Sequence, residues 1–245
     1  MGSKGNSSVI GSREEPRIIV ALDFDSEGAA WSVAEQLDPA LCRLKVGKQL
    51  FVSSGPQVVR RLVEHGFDVF LDLKFHDIPN TVANACAAAA DLGCWMVNVH
   101  AAGGAKMMQA AAERLAHLHS APLLVAVTVL TSLEAAELGA IGFHEDPATL
   151  VARLARLTAE AGFAGVVCSP REITRLRSEQ DERFCLVTPG IRPRGLGADD
   201  QQRIATPEVA IAAGADYLVI GRPITGAADP MTALDALHAC VKEAH

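Results

Sequence analysis

The sequence has no excess of basic residues, no long apolar run and no paired cysteine motif. Its formal net charge is −7 and its pI is about 5.6, which argues against nucleic-acid binding, because such proteins present an excess of Lys and Arg. No apolar run reaches the roughly 18 residues of a membrane span, so we expect no membrane partner. The six cysteines include no C-x-x-C pair, and we expect reduced thiols in a cytoplasmic protein rather than a zinc site.

Two sequence motifs of common enzyme classes are also missing. No G-x-G-x-x-G follows the first apolar run, which weakens the case for a dinucleotide-binding sheet. The G-x-S-x-G signature of a serine nucleophile elbow is absent as well. The sequence therefore supports neither class.

Apolar runs of strand length alternate with helical patterns from residue 17 onward. The eight runs cover residues 17–24, 41–46, 69–71, 95–100, 122–130, 165–169, 185–191 and 217–220. Helical segments are predicted at residues 26–37, 56–63, 81–92, 105–118, 147–161, from 170, at 206–213 and at 230–244. Nearly continuous apolar runs are typical of strands buried on both faces of a parallel sheet. Eight such units predict an α/β fold, a closed (β/α)8 TIM barrel rather than an open doubly wound sheet.

The first residues differ in composition from the rest of the chain. Residues 1–15 are rich in Gly, Ser and charge and lack the apolar core of a signal peptide. We interpret them as a flexible tail that resembles an expression remnant. Residues 16–245 are expected to form a single barrel domain, since no linker interrupts them.

Asp72, Lys74 and Asp77 form a charged motif at the end of the third run. Side chains of a strand alternate between faces, so Asp72 and Lys74 are predicted to point the same way. A core strand has no structural use for two inward charges, because burying ions is costly. A surface ion pair at a strand end is the alternative interpretation. His76 also alternates with Lys74, so the spacing alone leaves a role for it open.

Polar residues also end most of the other predicted strands. They are Asp23 on the first, Lys45 on the second, His100 on the fourth, Thr131 on the fifth, Arg192 on the seventh, and Gly221 with Arg222 on the eighth. In a (β/α)8 barrel all carboxyl ends of the strands open onto one face, where active sites form. We therefore expect these side chains to converge with the charged motif on one mouth.

The loops after the seventh and eighth strands suggest a phosphate site. Residues 190–192 (GIR) and 221–223 (GRP) combine small residues, which permit close backbone approach, with Arg192 and Arg222. Loops at these positions of a (β/α)8 barrel commonly bind phosphate. The planar guanidinium group of Arg can donate two hydrogen bonds to a phosphate at once. The sequence therefore favours a phosphorylated substrate.

The segment DLKFHDIPNT at residues 72–81 strongly resembles the signature of the orotidine 5′-phosphate decarboxylase family. Further similar segments, in order, are VALDF (20–24), LKVG (44–47), VNVHAAGG (97–104), AVTVLTS (126–132), TPGIRP (188–193) and VIGRPI (219–224). The resemblance covers nearly the whole chain from Arg17 onward. The ten-residue motif is highly specific, whereas D-x-K-x-x-D alone also occurs in other phosphate-binding barrels.

The resemblance implies cofactor-free decarboxylation of orotidine 5′-phosphate to UMP, the last step of de novo pyrimidine nucleotide synthesis. Lys74 matches the family's proton donor, in a charged array with Lys45, Asp72 and Asp77. The family is a homodimer, and Asp77 is expected to reach into the neighbouring subunit's site. Neither a metal nor an organic cofactor is expected.

The resemblance also implies a set of substrate-binding residues. Asp23 matches a ribose-binding residue with Lys45 nearby, and Thr131 matches a residue that contacts the pyrimidine. Thr81 is also expected to bind substrate. The positions matched at the phosphate and its closing loop are Arg192, Gln201, Gly221 and Arg222, of which Gln201 is ambiguous because Gln202 adjoins it.

Two rival functions remain open. A magnesium-dependent sugar-phosphate decarboxylase or aldolase of the same barrel group would share Asp72, Lys74 and Asp77 and place its carboxylates around the metal. A non-catalytic nucleotide-binding barrel would bind UMP and leave orotidine 5′-phosphate unchanged. The second rival gives no reason for a lysine between two carboxylates.

Overall fold

Eight parallel strands close into a barrel in the computed structural model, which describes residues 15–193 and 205–244. The strands are β1 (Ile18–Leu22), β2 (Cys42–Gly47), β3 (Val69–Phe75), β4 (Met96–His100), β5 (Leu123–Val127), β6 (Gly165–Val167), β7 (Cys185–Thr188) and β8 (Tyr217–Ile220). Each strand pairs with the next, and β1 pairs with β8. The predicted (β/α)8 barrel is confirmed. Residues 1–14 of the predicted tail lie outside the described residues.

Helices connect the strands on the outside of the barrel. They are α1 (Glu27–Ala34), α2 (Lys48–Ser54), α3 (Gln57–Glu64), α4 (Pro79–Ala90), α5 (Ala105–Ala116), α6 (Ala135–Ala140), α7 (Pro147–Glu160), α8 (Ile173–Glu179), α9 (Pro207–Ala212), α10 (Arg222–Thr225) and α11 (Pro230–Glu243), with a 3₁₀ turn at Ala101–Gly103. Short α2, α6 and α10 were not among the predicted helices. Within the described residues no helix is long and apolar enough to cross a membrane.

Several helices begin at residues that mark a helix N-terminus in the sequence. Pro occupies the first turn of α4, α7, α9 and α11, where its missing N–H costs no helical hydrogen bond. The side chains of Asp146, Thr206 and Asp229 cap α7, α9 and α11 by accepting a backbone N–H of the first turn. These caps explain why the starts of the later helices could be predicted closely.

The strands are buried on both faces, as a parallel barrel requires. One layer fills the barrel interior with Ile19, Ala21, Phe70, Met96, Val125, Cys185, Val187, Tyr217 and Val219. The other faces of the strands pack against the helices in a larger apolar cluster. The two layers together leave the ends of the barrel as the places where polar side chains can gather.

The cysteines behave as apolar core residues. All six are free, and five of them are buried. Burial raises the pKa of Cys42, Cys86 and Cys94 to about 12, so these thiols stay protonated at neutral pH. These three cysteines do not line the cavity described next, whereas the buried Cys168 does.

Candidate active site

A cavity of about 440 Å³ opens at the carboxyl ends of the strands. Its lining includes these residues predicted at the mouth: Asp23, Lys45, Asp72, Lys74, Thr131, Arg192, Gly221 and Arg222. Valine side chains from β5, β6 and β8 and Phe70 from β3 form an apolar wall beside them. The expected convergence of the strand ends on one mouth is thus observed for these residues.

Four of the lining residues form a chain of alternating charge. The Lys45 Nζ atom lies 2.9 Å from Asp23 Oδ1 and 3.3 Å from Asp72 Oδ2. The Lys74 Nζ atom lies 2.6 Å from Asp72 Oδ1. Lys45 and Asp72 are buried, whereas the Asp23 side chain is 65% exposed. The prediction that Asp72 and Lys74 point the same way is confirmed, and their partner Lys45 links them to Asp23.

The charge chain keeps its two buried members, Lys45 and Asp72, ionised. Burial alone would raise the pKa of Asp72, but the charges of Lys45 and Lys74 outweigh it and hold that pKa below its ordinary value. Burial alone would lower the pKa of Lys45, but the charges of Asp72 and Asp23 raise it above the ordinary value. The cavity therefore contains a fixed pattern of charges at neutral pH.

The backbone at Lys74 departs from regular strand geometry. Its φ is 53°, and Lys74 is the one non-glycine residue with positive φ in residues 15–193 and 205–244. The register between β3 and β4 shifts between Leu71 and Phe75. A bulge of this kind re-aims side chains, and backbone strain often accompanies functional sites. Asp72 and Lys74 meet because of this bulge and not through the simple alternation that the sequence predicted.

Gly47 provides room for one of the ion pairs. A Cβ atom at this position would lie 3.3 Å from Lys45 Nζ and 3.4 Å from Asp23 Oδ1. Contacts that short are tight, so a side chain here would press on the pair. The LKVG segment at residues 44–47 thus combines the lysine with the small residue that accommodates it.

Asn98 is a site residue that the sequence analysis did not identify. It lies on β4, is fully buried, and donates from Nδ2 to Asp72 Oδ1 over 2.7 Å. Its Oδ1 accepts the backbone N–H of Lys74 over 2.8 Å. A signal was present, because Asn98 is the one amide in the apolar run of residues 95–99, and buried amides need partners.

The arginines of the two predicted phosphate loops line the same cavity. Arg192 is 6% exposed, and its Nη1 donates to the carbonyl of Ile191 over 2.9 Å. Its buried Nε has no hydrogen-bond partner within the described part of the chain. Gly221 and Arg222 lie at the start of α10. Gln201, predicted for the phosphate loop, lies outside the described residues.

Four of the residues expected or considered at the mouth do not line this cavity: Asp77, Thr81, His76 and His100. Asp77 and Thr81 are exposed, and Asp77 Oδ1 accepts the N–H of Ile78 over 2.6 Å. His76 is exposed as well, because β3 ends at Phe75 and the alternation from Lys74 does not continue. Its ring lies 5.8 Å from that of His100.

His100 is partly buried at the end of β4. Burial, together with the charge of His76, lowers its pKa to about 4. The ring is therefore neutral at physiological pH.

Comparisons with known proteins agree on one family. The sequence profile of the Orotidine 5′-phosphate decarboxylase / HUMPS family matches residues 16–237. The orotidine 5′-phosphate decarboxylase of Nitrosococcus oceani is 59% identical over 226 residues, covering 92% of this chain and 97% of that relative. The one from Enterobacter sp. (strain 638) is 58% identical, with 92% of each chain covered. The crystal structure of orotidine 5′-phosphate decarboxylase from Lactobacillus acidophilus has a TM-score of 0.82 at 39% identity, covering 93% of this chain and 99% of that one.

Proposed function

This chain belongs to the orotidine 5′-phosphate decarboxylase/HUMPS family, and we propose that it converts orotidine 5′-phosphate to UMP and CO₂ without a cofactor. The observation that carries the proposal is the Lys74 ammonium group, which lines the cavity 2.6 Å from the buried Asp72 carboxylate. A charged lysine held at a fixed point is what this reaction requires.

Loss of CO₂ from C6 of the pyrimidine leaves an electron pair in an sp² orbital that the ring cannot delocalise well. The enzyme must therefore stabilise that negative charge electrostatically. The Lys74 ammonium group is preorganised beside Asp72, so it stabilises the charge without reorganising at the moment of reaction. Its proton is then transferred to C6, and hydrogen replaces the carboxylate.

Asp72 has two functions in this proposal. It holds the Lys74 ammonium group in an ion pair, since its own pKa is held below the ordinary range and it is ionised at neutral pH. It also repels the negative substrate carboxylate, and this repulsion is relieved when neutral CO₂ leaves. Lys45 balances the charge of Asp72 from the other side at 3.3 Å.

The phosphate of the substrate lies, in this proposal, between the loops after β7 and β8. The buried Arg192, whose Nε has no partner among the residues that the structure describes, and Arg222 at the start of α10 supply cationic donors, and Gly221 allows the backbone to approach. Gln201, which lies outside the described residues, is also predicted to contribute to this site. Binding energy from the phosphate then orients the base for reaction.

The nucleoside part lies between the phosphate and the charge chain. Asp23, whose carboxylate is 65% exposed and 2.9 Å from Lys45, binds the ribose hydroxyl groups. Thr131 lines the cavity beside the apolar wall and contacts the pyrimidine. Thr81, which is exposed at the start of α4, binds substrate across the subunit boundary considered next.

We further propose a homodimer in which Asp77 completes the neighbouring subunit's site. Asp77 is exposed and does not line its own chain's cavity, so its carboxylate is available to a second copy. Ile78 beside it is 67% exposed and Val52 on α2 is 83% exposed. A second copy that covered the Asp77 segment would also bury Ile78. Dimerisation would then be part of the chemistry.

The position of Asp72 disfavours the magnesium-dependent rival. Its Oδ1 contacts the Lys74 ammonium group and its Oδ2 the Lys45 ammonium group, and two cations at contact distance repel a divalent ion. The described residues also contain no group of three or more His, Cys, Asp or Glu side chains arranged to hold a metal. A barrel that only binds nucleotides would gain nothing from the strained backbone at Lys74.

One assay tests the proposed function. Purified protein is mixed with orotidine 5′-phosphate, with and without EDTA, and the ultraviolet absorbance of the substrate is followed. We expect complete conversion to UMP at the same rate in both samples. Conversion that EDTA abolishes would support the magnesium-dependent rival, and binding without conversion would support the non-catalytic barrel.

A further inference from the structure

Asn98 joins the two residues at the centre of the proposed reaction. Its side chain is fully buried on β4. One end of the amide accepts the Lys74 N–H over 2.8 Å, and the other end donates to Asp72 Oδ1 over 2.7 Å. A single side chain thus contacts both the backbone that presents the ammonium group and the carboxylate that holds it.

The amide fills an interruption in the sheet. Leu71 pairs with Val97 and Phe75 pairs with Val99. On β4, Asn98 is therefore the one residue opposite the three residues between Leu71 and Phe75. The N–H of Lys74 bonds to the Asn98 side chain where a regular ladder would use a backbone carbonyl. The bulge therefore depends on Asn98 for a hydrogen bond that the strand cannot supply.

This bond supports a backbone conformation that lysine rarely adopts. The φ of Lys74 is 53°, in the left-handed region that side-chain-bearing residues enter only when their surroundings hold them there. We propose that Asn98 is a positioning residue, which holds Lys74 in this conformation and orients Asp72 so that the ammonium group faces the cavity. This inference rests on the proposed function and adds a residue to its machinery.

The chemistry of the position calls for asparagine. The site needs one acceptor toward Lys74 and one donor toward Asp72, and the side-chain amide supplies both. An aspartate has no donor when ionised and would set a second carboxylate against Asp72. A leucine of similar size has neither group and would leave the Lys74 N–H and Asp72 Oδ1 without these partners.

The first test is the variant Asn98→Leu. We expect kcat for orotidine 5′-phosphate to fall about 10- to 100-fold, as for the loss of a hydrogen bond to a charged group. KM and the dissociation constant of UMP should change by less than about threefold, because phosphate and ribose contacts carry ground-state binding. Thr128→Val is the matched control. Thr128 directly follows β5, is buried, and does not line the cavity, and its hydroxyl donates to the carbonyl of Val167 on β6. It should retain wild-type kcat.

The second variant, Asn98→Asp, keeps the inference testable if the leucine variant does not fold. At low pH the new carboxyl group and Asp72 share a proton, which restores a donor to Asp72. As pH rises the proton is lost, and two carboxylates face each other. The charged groups around this position are Asp72, Lys74 and Lys45, with His100 further along β4, whereas the paired residue on β5 is the apolar Val125. The deficit in kcat relative to wild type should grow by about tenfold or more between about pH 5.5 and about pH 8.5.

The outcomes separate this inference from the proposed function. A wild-type protein that fails to decarboxylate orotidine 5′-phosphate overturns the proposed function itself. With an active wild type, the positioning role of Asn98 is supported by a lower kcat at unchanged UMP affinity and by the pH-dependent deficit of Asn98→Asp. The positioning role is overturned if the kcat of Asn98→Leu stays within about twofold of wild type. It is also overturned if the deficit in kcat of Asn98→Asp is the same at every pH.

Discussion

Both ends of the barrel bury charged side chains, but they use them differently. At the amino ends of the strands the Arg43 guanidinium group lies 4.1 Å from the Trp95 ring and 5.1 Å from the Tyr217 ring. It donates to Asp68 over 3.1 Å and also to the carbonyl of Pro16. This end is packed and satisfied, and Arg43 ties together residues at the amino ends of several strands.

At the carboxyl ends the charges surround a cavity. Lys45 and Lys74 each contact Asp72, and all three line a space of about 440 Å³. The one strained non-glycine backbone in the described residues lies here, at Lys74. Buried charge at the amino ends of the strands is thus packed against rings and paired, while buried charge at the carboxyl ends lines a cavity.

The largest expected effect removes the ammonium group at the mouth. Lys74→Ala should lower kcat for orotidine 5′-phosphate by about 10⁴-fold or more, because it removes both the electrostatic stabilisation and the proton donor. An ultraviolet absorbance assay measures turnover, and calorimetry measures the binding of UMP. Near-normal decarboxylation by this variant would contradict the distinction between the carboxyl ends and the amino ends of the strands.

Arg43→Ala is the corresponding change at the amino ends of the strands. It removes the stacking on two rings and the ion pair with Asp68, and we expect the free energy of unfolding to fall by about 2–3 kcal/mol. The kcat of the folded variant should stay within about twofold of wild type, because Arg43 does not line the cavity. Urea unfolding and steady-state kinetics measure the two quantities. A loss of kcat with unchanged stability would reverse the assignment of the two ends.

A smaller effect is expected at the phosphate side of the mouth. Arg222→Ala should reduce kcat/KM about 30-fold with orotidine 5′-phosphate, as for the loss of a charge-assisted hydrogen bond. With orotidine, which lacks the phosphate, the same variant should lose less than about threefold. Equal losses with both substrates would show that Arg222 acts on the structure of the barrel or on the pyrimidine of the substrate rather than on its phosphate.

The overall fold could be predicted because its signals are local and repeated. Continuous apolar runs marked all eight strands, and proline or capping residues marked the later helices. Short α2, α6 and α10 were missed, since elements of one or two turns carry too little periodicity to distinguish them from loops.

The site was predicted less completely, for a physical reason. The strand ends indicated most of the residues that line the mouth, because a closed parallel barrel brings its carboxyl ends together, but His100 was also expected there and does not line the cavity. The bulge at Lys74 could not be predicted from alternation, since it depends on how β3 meets Asn98 on β4. Asn98 itself was hidden in an apolar run. Asp77, absent from its own chain's cavity, stays a prediction about a second copy.

Hydrogen exchange at C6 of bound UMP tests the role of Lys74 most directly. In D₂O the neutral amine of Lys74 can remove the C6 proton and return a deuteron, which is the reverse of the proposed proton transfer. We expect nuclear magnetic resonance to show loss of the UMP C6–H signal with the wild-type protein and none with Lys74→Ala under saturating UMP. Exchange at the same rate with both proteins would contradict the account.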